Sequence, residues 1–310
     1  CIFVINELPD LQARIQVSLF SILEEKEIQI RGFKLRIPLD LQFIFTANPE
    51  DYTNRGSIVT PLKDRIGSQI ITHYPHTLSI AKRITKQESD IIQSSVYIPE
   101  LAHDLIEEIN FAARKSEYVD FKSGVSARLS ITAFENLVST AKRRMLINNE
   151  KKTSIRLSDF TGIIPAINGK IELVYEGEEQ GADQISFNLI NEGVKTIFLR
   201  FFPEISKLEK PNEATPYDKI LTWFVENGTE LFLGDEFTNK EYQDSLDEIK
   251  PLNELVKKYC KEINNEDVAF IKEVLLWGLS SFKKLSKNRM LDGIEFKDSL
   301  GSYLKNLNSD

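Results

Sequence analysis

Glu7 ends an apolar run, Ile2-Phe3-Val4-Ile5-Asn6, and Asn48 ends a second, Leu41-Gln42-Phe43-Ile44-Phe45-Thr46-Ala47; Arg65 follows in Leu62-Lys63-Asp64-Arg65-Ile66-Gly67. These residue types, in this order, suit hydrolysis of ATP. A carboxylate can orient the attacking water, a polar amide can sit beside the γ-phosphate, and an arginine can neutralise charge that develops in the transition state. Glu7, Asn48 and Arg65 are therefore candidate catalytic residues. Plainer roles exist for each. Glu7 could favour the start of a helix near Pro9, Asn48-Pro49 could be an ordinary turn, and Arg65 could pair on the surface with Asp64 or Glu50.

Positioning such residues requires elements that end together. Parallel strands in open α/β sheets bring their polar ends to one carboxyl edge, where ligands bind. Residues 2–6 are short, β-branched and apolar on both faces, which predicts a buried parallel strand followed by a Pro-Asp helix start. The helix after it places Leu11, Ile15, Leu19, Ile22 and Leu23 on one face. Alternation around Gly32 predicts a hairpin over "EIQIRGFKLRIP". Residues 41–49 predict another strand, and "SQIITHY" a third short one. From about residue 77 the pattern is helical. Leu101, Leu105, Ile109 and Ala112 mark one helix; Ile131, Phe134, Val138, Ala141 and Met145 mark another, with a capping box at Thr132 and Glu135. The acidic, glycine-containing stretch 176–183 is a boundary candidate, and 187–206, 217–227, 239–260 and 266–287 read as amphipathic helices, with Gly228 as a C-cap. The predicted fold class is α/β followed by α.

At 310 residues the chain is long enough for about two domains. With 41% hydrophobic and 28% charged residues it reads as a soluble globular protein, and no apolar run approaches the ~18 residues of a membrane span. A net charge of −8 argues against a surface built mainly for nucleic acid. Cys1 and Cys260, the two cysteines, offer no zinc spacing and no disulfide framework, so a reducing cytoplasm is the expected compartment. His73, His76 and His103 have no ligand spacing either.

"IFVINELPDL" resembles a Walker B segment, "FTANPEDY" a sensor 1 segment, and "PLKDRIG" the arginine-finger stretch of AAA+ ATPases in the MoxR and magnesium-chelatase ATPase-subunit group. The hairpin stands where that group carries its pre-sensor-1 hairpin, and "SGVSARLSI" resembles the sensor 2 stretch of its lid. The resemblance covers roughly residues 1–178 and implies three parts: 1–76 as the C-terminal part of an ATPase core, 77–180 as a helical lid, and 181–310 as a helical domain of unassigned role. It implies ATP and Mg²⁺ as cofactors, Arg128 as the sensor 2 arginine, and Asn6, Glu7, Asn48 and Arg128 as nucleotide-site residues. It also implies self-assembly into a hexameric ring, with Arg65 reaching a neighbour's ATP, and a partner carrying a von Willebrand factor A domain. No such domain is visible here; in "DSLGS" at 298–302, Leu300 replaces the middle serine of its metal motif.

Two departures matter. Asn6 stands where the family's magnesium-holding acid is usual; its amide oxygen can still order a metal-bound water but adds no negative charge. No G-x-x-x-x-G-K-[ST] run occurs in the sequence, so an N-terminal truncation is expected, and with it a fragment inactive on its own. Two other functions compete. A sigma-54-dependent transcription activator also reads "ELP" after Walker B, although no C-terminal helix-turn-helix with a basic recognition helix is found. A non-hydrolysing scaffold is favoured by Asn6. Arg31, Lys34 and Arg36 on the hairpin could meet a partner, but a solvated charged hairpin is the commoner case.

Overall fold

The computed structural model describes residues 1–36, 40–48, 57–91, 95–205, 214–227, 230–261 and 263–299. The chain is mixed α/β, with parallel strands and many helices, and divides into two compact units, one ending at His73 and the other beginning at Tyr74.

The first unit runs β1 (Ile2–Ile5), α1 (Ala13–Phe20), β2 (Glu27–Ile30), β3 (Phe33–Arg36), β4 (Gln42–Phe45) and α2 (Thr60–Lys63). β1 and β4 pair in parallel, from Ile2↔Gln42 to Ile5↔Phe45. β2 and β3 form the expected hairpin. Its loop, Arg31 (φ 48°) and Gly32 (φ 87°), has positive φ at both positions, the backbone twist that a two-residue loop between strands needs. α1 continues into a π-helical turn, Ser21–Glu25.

Burial in this unit differs from the sequence reading. The strand at 2–6 was expected to be covered on both faces, yet Ile2, Phe3 and Val4 are 70%, 50% and 52% exposed. A two-stranded sheet gives cover only where α1 and the turn after β1 reach it. The small core there centres on Leu8, Leu19 and Leu62, with Ile5, Leu11 and Phe45 packed against it. Ile15, expected on the inner helix face, is exposed, and Gln16 is buried instead. The third strand expected at 68–74 does not form: the segment joins no ladder, and Ile70 and Ile71 are exposed. A strand exists only where another edge accepts its backbone hydrogen bonds.

The second unit contains α3 (Leu78–Glu88), β5 (Val96–Tyr97), α4 (Glu100–Lys115), α5 (Arg128–Ile147), β6 (Thr153–Ser154), α6 (Ile164–Asn168), α7 (Tyr175–Gln180) and α8 (Ala182–Phe201). α9 (Asp218–Asn227), β7 (Leu231–Gly234), α10 (Asn239–Glu248), α11 (Lys250–Tyr259), α12 (Val268–Ser281), β8 (Leu285–Arg289) and β9 (Gly293–Asp298) follow. α4 and α8 approach closely at Gly193, where a β-carbon would meet Leu105 at 2.9 Å and Ile109 at 3.0 Å. One apolar core runs from Val96 to Phe296, with members on both sides of the stretch 176–183, such as Ile171 and Ile185; that stretch holds most of α7, Gly181 and the start of α8.

Several local expectations are corrected. α5 begins at Arg128 rather than at a capping box of Thr132 and Glu135; Glu135 instead accepts the Asp90 amide at 3.1 Å. The capping box present is Thr238 with Glu241, at the start of α10. The helix expected over 239–260 is broken at Ile249, because Pro251 in the first turn of α11 cannot continue α10. The part read as helical from 181 onward also holds an antiparallel sheet of order β7-β9-β8. Lys283, at φ 58°, turns the chain out of α12 towards it. Gly228, the expected C-cap, lies outside the described residues.

Several polar groups inside this unit are paired, although one oxygen of Glu273 has no hydrogen bond among the described residues. Arg144 on α5 binds Asp159 at 2.8 Å and the Thr153 hydroxyl at 2.8 Å. Glu273 on α12 is fully buried and accepts from the Tyr242 hydroxyl at 2.5 Å and the Leu157 amide at 2.9 Å. Burial, with the charge of Asp159 adding to it, pushes the Glu273 carboxyl up to about 7. The unfolded chain releases this proton near pH ~4.3, so between the two values the native state binds more protons and stability falls as pH rises. Buried His103, held down to about 4, works in the opposite direction over part of that window. The difference between wild type and Glu273→Gln cancels the histidine. We expect the second unit of Glu273→Gln to gain stability relative to wild type between about pH 5 and about pH 8 in urea titrations; a pH-independent difference would show that the carboxyl ionises as in solvent.

Candidate functional site

The carboxyl ends of β1 and β4 leave the sheet from one edge, because the strands are parallel and in step. Thr46 extends the ladder beyond both strands. Its amide donates to the Ile5 carbonyl at 3.0 Å, and its own carbonyl accepts the Leu8 amide at 2.9 Å. The Thr46 hydroxyl accepts the Glu7 amide at 3.0 Å and donates to the Asn6 side-chain oxygen at 3.3 Å. Asn6, Glu7 and Thr46 are thus gathered at one point on the sheet edge.

Glu7 takes the left-handed conformation there, with φ 51° and ψ 56°. This bend drops the chain into a 3₁₀ turn, Leu8–Asp10, whose Leu8 and Pro9 are buried. A non-glycine residue held in this region costs about 1–3 kcal/mol. Glu7 stands at the N-cap position of this turn, and its side chain makes no cap hydrogen bond. Among the described residues its exposed carboxylate has no hydrogen bond or ion pair.

Asn48 leaves the same edge three residues beyond the end of β4 and is exposed. No hydrogen bond joins it to Glu7 among the described residues. Arg65 stands apart from both. Its guanidinium donates to Glu24 at 3.0 Å, with a second nitrogen 2.9 Å from the other carboxylate oxygen. It also donates to the Pro61 carbonyl at 2.7 Å and covers the Phe20 ring at 5.0 Å. The carboxylate that holds Arg65 is therefore Glu24, not Asp64; Glu50 lies outside the described residues.

The sequence reading missed Gln16, which anchors the segment leading to Arg65. Its side-chain amide donates to the carbonyls of Leu11 at 2.9 Å and Ser57 at 3.1 Å, and its oxygen accepts the Val59 amide at 2.9 Å. The one available signal was a glutamine one position from Ile15 and three from Leu19 on an otherwise apolar helix face.

Arg128 belongs to the second unit. It is the first residue of α5, and its exposed side chain has no ion pair among the described residues. On the hairpin, Lys34 and Arg36 lie 3.6 and 3.5 Å from Glu27 with their side chains mostly exposed, as solvated surface pairs do.

Among the described residues no group of three or more His, Cys, Asp and Glu could hold a metal by itself. The donors at the sheet edge are the Asn6 amide oxygen, the Thr46 hydroxyl and the Glu7 carboxylate. Such oxygens suit Mg²⁺ held through water and substrate phosphates rather than in a protein cage. Asn6 has one lone-pair direction engaged by Thr46 and another left.

No family model matches the chain, and no curated protein matches it. Among solved structures, the crystal structure of a putative ATPase from Cytophaga hutchinsonii is 20% identical over 62% of this chain, with a TM-score of 0.24. The alignment spans 65% of that protein's chain. No helix among the described residues is long and apolar enough to cross a membrane.

Glycine adopts the Glu7 backbone without steric cost. Glu7→Gly is expected to stabilise the first unit by about 1 kcal/mol, read as slower amide exchange in β1 and β4. Faster exchange would mean that the carboxylate, rather than the bend, is what the fold needs at this position.

Proposed function

We propose that this chain contributes to an ATP-hydrolysing machine of the MoxR and magnesium-chelatase type. The observation that carries the reading is the Glu7 carboxylate, without a partner among the described residues and held by a left-handed bend beside Asn6 and Thr46 where two parallel strands end. In this reading Glu7 orients the water that attacks the γ-phosphorus, and Asn48 donates to the γ-phosphate from the neighbouring strand. Asn6 orders a water on Mg²⁺, which supplies charge neutralisation for the phosphates when bound. Arg65 acts on ATP held by an adjacent subunit of a hexameric ring, and Arg128 reports the nucleotide to the helical unit. Because the 310 residues contain no phosphate-loop motif, the cradle for the triphosphate has to come from other sequence. A partner with a von Willebrand factor A domain would receive the motion.

A non-hydrolysing scaffold is the second reading. Two features favour it: Asn6 adds no charge where a metal would sit, and Glu24 already neutralises Arg65.

ATPase turnover of the full-length protein separates the two. Glu7→Gln should lower kcat by about 10²–10⁴, the contribution of a positioned base, while a change within about twofold would remove Glu7 from catalysis. Subunits carrying Arg65→Ala mixed with subunits carrying Glu7→Gln should regain part of the lost activity, since each supplies what its neighbour lacks. No recovery at any ratio would place Arg65 outside its neighbour's site.

A further inference from the structure

Lys287 lies on β8, far in sequence from every residue discussed as a phosphate-site group. Its ammonium nitrogen stands 3.4 Å from the centroid of the Trp277 ring and 4.8 Å from that of Phe187, and it donates to the Asn191 side-chain oxygen at 2.5 Å. That amide is the only hydrogen-bond partner found for the amine among the described residues. The side chain also lines a cavity of about 870 Å³ between α4, α8 and the end of α12, together with Phe111, Tyr118, Gln184, Asn188 and Ser281. This is the size of a small-molecule site, with aromatic and amide walls.

Burial pushes the Lys287 ammonium down to about 7, with the distant charge of Glu273 pulling the other way. The aromatic faces also favour the cation, by an amount smaller than the cost of desolvation. The other charged groups on the cavity wall are Glu108, Lys115, Glu117 and Glu192. Glu108 is paired with Arg200, and Glu192 lies 3.8 Å from Lys195. No carboxylate forms an ion pair with Lys287 among the described residues. A lysine held against aromatic rings by a neutral amide, at the wall of a cavity, is the arrangement in which an amine can act as a nucleophile.

We propose that Lys287 is a covalent capture site at which the cavity admits a small aromatic aldehyde and the lysine condenses with it. The nitrogen lone pair attacks the carbonyl carbon, and a proton passes from nitrogen to oxygen to give the carbinolamine. Loss of water then forms the C=N bond. No electrons leave or enter, and hydrolysis reverses the step. The proposal is independent of the ATPase reading, since no residue is shared.

The full chain is incubated with benzaldehyde and cyanoborohydride, which delivers hydride to the imine carbon and fixes the adduct as a secondary amine; each lysine is then followed by peptide mass mapping. At about pH 7 roughly half of the Lys287 amine is neutral, against on the order of 0.1% or less for an ordinary lysine. Labelling of Lys287 should therefore be at least about tenfold faster than that of exposed Lys170 and Lys240, with allowance for its weaker intrinsic nucleophilicity. Lys287→Met should remove this fast site and leave the slow ones. Labelling of Lys287 no faster than that of Lys170 would overturn the proposal on the wild-type protein alone.

Discussion

Thr46 holds the carboxyl edge of the first unit's parallel strand pair together. One residue closes the β1–β4 ladder with its backbone, accepts the Glu7 amide with its hydroxyl, and orients Asn6 with the same oxygen. Those bonds hold the bend at Glu7 together with the Asp10 amide, which donates to the Glu7 carbonyl at 3.0 Å, while the Glu7 side chain makes no cap hydrogen bond. These bonds are exposed to solvent, so each contributes at most about 1 kcal/mol, and what the threonine supplies is chiefly position. The strain at Glu7 and the freedom of its carboxylate are two sides of one constraint: the backbone is over-determined so that the side chain need not be.

Arg65 obeys the reverse logic. Its backbone is set from afar by Gln16, which ties Ser57 and Val59 to α1, while the side chain is engaged by Glu24, Pro61 and Phe20. Any anion that recruits the guanidinium must compete with a carboxylate already in place. Ion pairs with this degree of exposure are modest in energy, so a phosphate of higher charge can win that competition.

The sequence made the local elements legible where their pattern was self-sufficient. Apolar strands ending on polar residues, the Gly32 hairpin and the long periodic helices all appear close to where periodicity placed them. What it concealed depended on partners far away in the chain. The stretch 68–74 has strand chemistry but no edge to join, and β8 and β9 carry charged residues that hide a sheet packed on α12. Gln16 went unread because its three partners are loop backbone atoms, which no residue type announces. At the candidate site, the residue types of Glu7 and Asn48 were visible; the left-handed backbone and the role of Thr46 were not. Glu24 escaped notice because its place opposite Arg65 depends on a π-helical turn that no spacing rule anticipates.

The two units differ greatly in how much apolar surface they hide. The second carries a continuous interior extending over most of its elements, whereas the first closes over three leucines and leaves the flanks of its short sheet to water. Cooperativity follows buried contacts, so the two should lose order in separate events rather than together. A single melting temperature for this chain would then describe neither, and calorimetry would resolve a broad, shallow endotherm beneath a sharp one.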